Sequence, residues 1–284
     1  VMTDWFGGKD GAKQMWAGND MLQPGKKEQF DSIVAGVKSG KLAEADLDRN
    51  VSRILNLVEK SPRYQGYRYS NKPDLKAHAE VTRQSAAEGM VLMKNEKALP
   101  FAENVKNVAL YGNTSYDFIA GGTGSGNVNH AYVVSLLDGL KNGGYTVSEE
   151  LKTAYETYIA DAKKKAEAEL EAKAKQDPKN AMLARFLPQP LPAEKLFSAD
   201  ELTTQAANAD VAVITLGRLS GEFLDRSVAD FNLSDSERQL IEQVCEVYHK
   251  AGKQVVVLLN IGGVIETASW NKLPDAILCA WQAG

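Results

Sequence analysis

Apolar residues follow two different patterns along the chain, and the change falls between residues 60 and 76. In the first part they recur every three to four residues over 28–38 and 44–59, which predicts two amphipathic helices separated by Gly40. A short apolar strand is expected before these helices, ending near Asp4. The segment between the two parts, residues 61–75, is polar, aromatic and interrupted by proline, as is typical of a domain boundary.

From residue 76 onward, short continuous apolar runs alternate with helical patterns. Helices are expected over 76–90 and near 132–141. The apolar runs are rich in β-branched residues and comprise 91–93, 108–112, 211–216, 255–259 and 276–280. Continuous apolar runs are typical of strands that are covered on both faces, so the pattern predicts an α/β fold with a largely parallel sheet.

Two later helices begin at a capping box, which is a serine followed three residues later by a glutamate: Ser198 with Glu201, and Ser234 with Glu237. Residues 151–180 have a different composition, because lysine, alanine and glutamate alternate through much of this stretch. That composition predicts a solvated surface helix without chemistry of its own. We expect it to belong to a helical insertion over about 151–192, which ends in a proline-rich segment.

Composition excludes several classes of protein. The 284 residues are 44% hydrophobic and 25% charged with a net charge of −4, so no basic surface for nucleic acid or for an anionic membrane is expected. No apolar run approaches the roughly 20 residues of a transmembrane helix. Cys245 and Cys279 lie in a helical pattern and in an apolar run, which predicts two core thiols. The three histidines are far apart, so no metal site is predicted.

Asp4 and Trp5 place a carboxylate beside an indole at the end of the first apolar segment. A carboxylate can attack the anomeric carbon of a sugar, and an indole face can stack on a pyranose ring. The competing interpretation is that Asp4 caps a turn or a helix. Because the apolar segment is already under way at Val1, we expect the sequence to be a fragment of a larger enzyme.

Residues 121–126 include four glycines and form the most glycine-dense stretch of the chain. Glycine lets the backbone adopt a positive φ and approach a ligand closely. One interpretation is a phosphate-binding loop, although the spacing of the glycines and the segment before them match that motif poorly. The alternative is a plain flexible loop.

Glu222 follows Gly221 shortly after the apolar run at 211–216. A glutamate just beyond the end of a parallel strand is well placed for general acid/base catalysis. The neighbouring Asp225 and Arg226 are expected to pair and to hold this loop. The competing interpretation is an ordinary carboxylate on a surface loop.

Several of these segments together resemble glycoside hydrolase family 3, the β-glucosidase group. Each segment alone is a weak signal, but the combination is specific. The similarity covers nearly the whole chain except the helix rich in lysine, alanine and glutamate. Its main parts are 2–5, 17–25, 71–73, 86–95, 99–100, the glycine loop at 121–126, the loop at 220–226, 256–260 and 281–284.

In that family a (β/α)8-type barrel carries the nucleophile, and an α/β sandwich domain supplies the acid/base. The resemblance therefore implies that residues 1–60 are the last part of the barrel and that 61–75 are a linker. Residues 76–284 would form most of an α/β/α sandwich. The barrel residues that bind the glycone hydroxyls, including the family's Lys-His pair, are expected upstream of Val1.

Motif matching assigns a role to four residues. Asp4 corresponds to the catalytic nucleophile and Glu222 to the general acid/base. Trp5 corresponds to the aromatic platform beneath the glycone, and Ser125 to a sandwich-domain group that reaches the substrate. Thr3 stands where the family often has serine before the nucleophile, which is a mild departure.

The activity that the resemblance implies is that of a retaining β-glucosidase, which releases terminal non-reducing β-D-glucosyl residues by double displacement. No metal or organic cofactor is required. The expected substrates are β-linked oligosaccharides and aryl or alkyl β-glucosides. The alternatives are a β-xylosidase of the same family, a module that binds nucleotides or sugar phosphates through the glycine loop, and a non-catalytic module whose charged helix contacts a partner.

Overall fold

A computed structural model of the chain describes residues 1–5, 7–176, 189–222 and 225–283. The chain divides into two compact units, residues 1–75 and 76–284. Residues 177–188 of the expected insertion lie outside the described residues, as do Phe223 and Leu224 beside Glu222. The assignment of the first unit to a barrel domain stays a prediction, and so do the bounds of the linker and the sandwich.

The described part of the first unit contains three helices, α1 (Gly11–Trp16), α2 (Lys27–Lys38) and α3 (Glu44–Glu59). The two longer helices confirm the expectation from the apolar spacing. The sequence pattern does not indicate α1, because six residues are too few to display a helical repeat. The Asp10 side chain caps α1 by accepting a hydrogen bond from the Lys13 N–H (3.1 Å).

The expected strand at the amino terminus is wrong. Met2 forms one isolated parallel bridge with Met21, and the Thr3 N–H donates to the Met21 carbonyl (3.0 Å). A regular strand needs successive backbone pairs along its partner, and a single bridge does not supply them. Asp4 therefore lies in an irregular segment just beyond this bridge, instead of at the end of a strand.

Helices and strands alternate in the second unit, as the sequence pattern predicts. After α4 (Leu75–Gly89), which spans the boundary between the units, the elements are β1 (Val91–Asn95), β2 (Asn107–Tyr111), α5 (Leu136–Asn142), β3 (Thr146–Val147), α6 (Glu149–Gln176), α7 (Ala199–Asn208), β4 (Val211–Arg218), α8 (Val228–Phe231), α9 (Asp235–Lys250), β5 (Gln254–Ile261) and β6 (Ala276–Cys279). The capping boxes at Ser198 and Ser234 are confirmed. α5 begins later than expected, because Ser135 caps it by accepting the Asp138 N–H.

Within the described residues, the strands form one six-stranded sheet in the order β1-β6-β5-β4-β2-β3. Neighbouring strands are parallel except at the edge, where β1 runs antiparallel to β6. β4 and β5 lie at the centre and pair along their whole length, from Val211 with Gln254 to Arg218 with Ile261. The predicted α/β fold with a largely parallel sheet is confirmed.

Apolar side chains cover both faces of the central strands, and every residue of β4 is buried. On one face, a cluster joins the sheet to α6, α7 and α9 and includes Tyr155, Leu202 and Ile241. On the other face, a smaller cluster joins the sheet to α5 through Leu137. Cys245 and Cys279 are buried free thiols in the larger cluster, as the sequence predicts.

The sequence predicts that α6 is a solvated helix, but the first half of α6 is buried on one face. Leu151, Tyr155 and Ile159 are buried, and their spacing of four residues places them on one face against the core. The Tyr155 hydroxyl also accepts the Gly112 N–H (2.8 Å). The remainder of α6, which holds most of its lysines and glutamates, is largely exposed. Averaging the composition over 151–180 hides the apolar stripe of the first turns.

Glu194 is a buried carboxyl beside the loop that follows β2, with 9% of its surface exposed. One of its oxygens accepts the Asn113 N–H (2.8 Å). Burial raises the pKa of Glu194 to about 8, and the Asn113 hydrogen bond opposes this rise. The nearby charges act in opposite directions, since Glu237 raises this pKa and Arg218 lowers it.

Wild type is expected to lose stability as the pH rises and Glu194 ionises, and Glu194→Gln should not show this loss. A carboxyl with a pKa of about 8 in the folded state and about 4.5 when unfolded is stabilising in its protonated form. That contribution is complete below the unfolded pKa and is lost as the pH rises through the folded pKa. Between about pH 5 and pH 8.5, the free energy of unfolding of wild type should fall by on the order of 2–4 kcal/mol relative to that of Glu194→Gln.

Urea unfolding over this pH range measures the difference between the two proteins. Glu167→Gln, which changes an exposed glutamate of α6, is the matched control and should follow wild type. Parallel pH profiles for wild type and Glu194→Gln would contradict the raised pKa.

Candidate active site

The parallel strands β2, β4 and β5 all end at one edge of the sheet. In open α/β sheets, ligands bind outside this edge, where the loops leave the carboxyl ends of the strands. The glycine loop at 121–126 follows β2, and the loop that carries Glu222 follows β4. Since β2 and β4 are hydrogen-bonded neighbours, the two loops leave the sheet side by side.

Thr123 joins the two loops through its backbone and its hydroxyl. It forms a parallel bridge with Gly221, and its N–H donates to the Ser220 carbonyl (2.9 Å). Its hydroxyl donates to the Glu222 carbonyl (3.1 Å). Gly221 has a φ of 149°, and a side chain there would collide with the Thr123 backbone, so only glycine suits this crossing.

Ser125 holds the side chain of Glu222 with two hydrogen bonds. The Ser125 hydroxyl donates to Oε1 (2.5 Å), and the Ser125 N–H donates to Oε2 (3.1 Å). Both bonds lower the pKa of Glu222 because they favour its ionised form, and the bond from the hydroxyl has the larger effect. Gly124 permits the approach, since a Cβ at this position would lie 2.5 Å from the Glu222 side chain.

The geometry of the glycine loop opposes the phosphate-binding alternative. Its second half forms a short 3-10 turn (Gly124–Gly126) instead of opening an α-helix. The Ser125 N–H faces the Glu222 carboxylate, and a second anion at this position would be repelled.

Among the described residues, no group of three or more His, Cys, Asp or Glu side chains is arranged for a metal ion. None of the described helices is long and apolar enough to cross a bilayer.

Asn260 anchors the start of the segment that leads into the glycine loop. It is fully buried near the end of β5, where its Oδ1 accepts the Ile119 N–H (2.7 Å). Its Nδ2 donates to the carbonyls of Ile119 (2.9 Å) and Trp281 (2.8 Å). The sequence indicated Asn260 only within the family resemblance, although a polar residue closing a buried apolar run was a usable signal.

Arg226 pairs with Asp230, not with Asp225 as expected from the sequence. Its Nε contacts the Asp230 carboxylate, and its Nη2 donates to the Asp230 carbonyl (3.1 Å). Asp230 lies in the short helix α8, and Arg226 immediately precedes Ser227, which caps that helix. The Ser227 hydroxyl accepts the Asp230 N–H (3.1 Å), which keeps Asp230 close to the residue before the cap.

Asp4 and Trp5 lie in the first unit, and both are exposed. The Asp4 carboxylate accepts the Trp5 N–H (2.9 Å), and 66% of the Trp5 surface is exposed. The hydroxyl of Thr3 accepts the Gln23 N–H (2.9 Å), which fixes the residue before Asp4. The structure thus brings Ser125 and Glu222 into direct contact, and it keeps Asp4 beside Trp5 in the other unit.

Replacing Ser125 by alanine is expected to raise the pKa of Glu222, because the hydroxyl bond that favours the carboxylate is removed. If Glu222 is the proton donor, the basic limb of the kcat/KM profile of the intact protein should move to higher pH. Ser39→Ala, which removes a local hydrogen bond in the first unit, is the control and should leave the profile in place. An unchanged basic limb in Ser125→Ala would contradict the role of this contact.

Residues 90–284 match the sequence profile of the glycosyl hydrolase family 3 C-terminal domain. The chain belongs to glycosyl hydrolase family 3. The resemblance seen in the sequence is thereby confirmed for most of the second unit. The matched family 3 region includes both loops of the site, and therefore Ser125 and Glu222.

The similar proteins include enzymes that are named for different substrates. β-Glucosidase A of Butyrivibrio fibrisolvens is 31% identical over 73% of this chain and 25% of that protein. An exo-α-(1→6)-L-arabinopyranosidase of Bifidobacterium longum is 28% identical over 100% of this chain and 34% of that protein.

Among solved structures, β-glucosidase 3B from Thermotoga neapolitana in complex with glucose is similar over 100% of this chain and 39% of that chain, with 40% identity and a TM-score of 0.83. The chain thus spans about a quarter to two fifths of the length of these relatives.

Proposed function

We propose that this family 3 protein is a retaining β-glucosidase that releases terminal non-reducing β-D-glucosyl residues. The observation that carries the proposal is the contact between Glu222 and Ser125, which holds an acidic side chain between two loops at the ligand-binding edge of the sheet. The similar β-glucosidases from B. fibrisolvens and T. neapolitana support the choice of substrate. The substrates are β-linked oligosaccharides and aryl or alkyl β-glucosides.

Asp4 and Glu222 have opposite tasks in this mechanism. Asp4 is ionised and attacks the anomeric carbon, while Glu222 gives a proton to the departing aglycone oxygen. The product of this step is a glucosyl ester of Asp4. Glu222, now ionised, takes a proton from water as the water oxygen attacks the anomeric carbon. The bond between that carbon and the Asp4 carboxylate breaks, which releases β-glucose and restores both carboxyls. Retention of configuration requires carboxyls roughly 5–5.5 Å apart.

The protonation state of Glu222 has to change between the two steps. The mechanism requires the two carboxyls to lie roughly 5–5.5 Å apart, and at that distance the negative charge of Asp4 favours the protonated form of Glu222 that the first step requires. Glycosylation neutralises Asp4, so the pKa of Glu222 falls again. The hydrogen bonds from Ser125 also lower the pKa of Glu222, which favours the ionised form that acts as the base in the second step.

Trp5 contributes an exposed indole face adjacent to the nucleophile. Stacking of a pyranose on that face would position the glycone for attack by Asp4. Ser125 approaches the same substrate from the glycine loop, and its hydroxyl also sets the ionisation of Glu222. Trp5 and Ser125 thus bind the substrate in this mechanism, and Asp4 and Glu222 carry out the catalysis.

Hydrolysis of nitrophenyl glycosides by the intact protein tests the function. Three glycosides with the same leaving group are compared: the β-D-glucoside, the β-D-xyloside and the α-L-arabinopyranoside. We expect the highest kcat/KM for the glucoside, and proton NMR should detect β-glucose before mutarotation. α-Glucose as the first product would overturn the retaining mechanism, and an absence of hydrolysis would overturn the proposed function.

α-L-Arabinopyranosidase activity is the second candidate, because the B. longum enzyme aligns with the whole of this chain. An α-L-arabinopyranoside is the pentose counterpart of a β-D-galactoside, so its anomeric carbon presents the same face to a nucleophile. β-Xylosidase activity is the other alternative, since a xyloside differs from a glucoside by the missing hydroxymethyl group. The order of the three kcat/KM values decides among them.

A further inference from the structure

Arg218 is the last residue of β4 and is buried at the base of the loop that carries Glu222. Its guanidinium forms a bidentate ion pair with the buried carboxylate of Glu237, in which Nη1 contacts Oε1 and Nη2 donates to Oε2 (2.9 Å). A buried charge is costly unless it is paired and its remaining donors are satisfied. The remaining N–H groups of Arg218 therefore also need acceptors, and those acceptors show which part of the chain the buried pair holds in place.

Those other partners are backbone carbonyls on both arms of the loop. Arg218 Nη1 donates to the Gly217 carbonyl (2.7 Å) on the outgoing arm. On the returning arm, Nε donates to the Asp230 carbonyl (2.6 Å) and Nη2 to the Asn232 carbonyl (3.0 Å). One side chain thus fastens the two ends of the segment in which Glu222 lies.

The ion pair continues on one side into the cap of α9 and on the other side into two further charged side chains. Glu237 also accepts from the N–H (2.7 Å) and the hydroxyl (3.0 Å) of Ser234, so the carboxylate that neutralises Arg218 also caps α9. At the other end, the Asp230 carboxylate lies 3.5 Å from Arg218 Nε and contacts Arg226, four residues beyond Glu222. These contacts form a row of charged side chains that runs from the start of α9 to the loop that carries Glu222, in the order Glu237, Arg218, Asp230 and Arg226.

We propose that Arg218 is a positioning residue that holds the loop so that Glu222 delivers its proton to the aglycone oxygen. This inference rests on the proposed function. Glu222 itself is exposed, and its carboxylate is held by hydrogen bonds from Ser125 alone among the described residues. Its position therefore also depends on the fixed ends of its loop. A lysine at 218 keeps the charge beside Glu237 but lacks the planar fork that reaches both arms at once.

The test compares Arg218→Lys with wild type in the intact protein, using cellobiose and dinitrophenyl β-glucoside. The measured quantity is kcat/KM, because it reports the glycosylation step, in which Glu222 acts as an acid. A misplaced proton donor matters most when the leaving group is poor. We expect kcat/KM to fall about 10- to 100-fold for cellobiose and by less than about threefold for the dinitrophenyl glucoside.

Arg238→Lys is the matched control. Arg238 lies on α9, and its guanidinium donates to the Ser269 hydroxyl (3.2 Å) at an exposed position. Both substrates should retain their wild-type kcat/KM in this variant. Active-site titration with a slow fluoroglucoside corrects every value for the fraction of folded enzyme, so a merely structural defect leaves the ratio of the two substrates unchanged.

The result that overturns the proposal is an equal loss for the two substrates in Arg218→Lys. If that variant does not fold, Glu237→Gln provides the test, because it weakens the bidentate pair that orients the guanidinium of Arg218 toward the loop. A leaving-group-dependent loss in Glu237→Gln supports the proposal, and an unchanged ratio overturns it. Failure of the proposed function is distinct, since wild type would then hydrolyse neither substrate.

Discussion

Alanine at position 4 is expected to abolish the turnover of every β-glucoside by the intact protein. The Asp4 carboxylate forms the covalent bond to the anomeric carbon in the proposed mechanism, and the methyl group of alanine cannot form that bond. Loss of a covalent nucleophile costs on the order of 10⁴-fold or more in kcat. Azide, which is small enough to occupy the vacated space, should restore turnover and yield the α-glucosyl azide, because it attacks from the face that Asp4 used.

Rates of nitrophenyl β-glucoside hydrolysis and NMR of the azide product measure this effect. Asp31→Ala is a suitable control, because Asp31 is an exposed partner of Lys27 on α2 and should be dispensable. Activity of Asp4→Ala close to that of wild type would remove Asp4 from the mechanism. A β-glucosyl azide from this variant would equally contradict the assignment, since the nucleophile would then lie on the other face.

Alanine at position 222 is expected to affect substrates according to their leaving groups. Without its proton donor, the enzyme should lose on the order of 10²–10⁴-fold in kcat/KM for cellobiose, whose aglycone leaves poorly. Dinitrophenol leaves without protonation, so kcat/KM for its glucoside should be nearly spared. Azide should attack the glucosyl enzyme without general-base help and give the β-glucosyl azide, the opposite anomer from Asp4→Ala.

A series of aryl glucosides of decreasing leaving-group pKa measures this dependence. Glu246→Ala is the matched control, because Glu246 is an exposed glutamate of α9 that pairs with Lys250. Equal losses for cellobiose and the dinitrophenyl glucoside in Glu222→Ala would mean that Glu222 is not the donor. Asp225, the nearby carboxyl in the same loop, would then be the next residue to replace.

The two substitutions together separate the roles of the two units. Asp4 belongs to the first unit and Glu222 to the second. Opposite azide anomers from the two variants would indicate that the carboxyls act on opposite sides of the same anomeric carbon.

Local sequence signals were sufficient for most of the second unit. Continuous apolar runs predicted the central strands β4 and β5, because strands covered on both faces exclude polar side chains. The capping boxes at Ser198 and Ser234 predicted two helix starts, since all their hydrogen bonds lie within one turn. Signals of this kind fail for short or mixed segments, such as the six-residue α1 and the half-buried α6.

The candidate residues themselves were also readable from the sequence. The family resemblance pointed to Asp4, Trp5, Ser125 and Glu222, and the glycines around Ser125 and Glu222 indicated close backbone approach. The expected strand before Asp4 failed, because a strand depends on a partner that the local pattern does not specify. Burial of Glu194 was equally hidden, since a glutamate outside an apolar run gives no sign that packing will raise its pKa.

By itself, then, the sequence determined the layers of the second unit and the identities of the four candidate residues. Only the tertiary structure decided which polar side chains meet. The hydroxyl of Ser125 reaches Glu222 across 97 positions, Arg226 selects Asp230, and Arg218 closes on Glu237. These contacts follow from the placement of β4 beside β2, and strand order is set by packing throughout the domain, which no local pattern encodes.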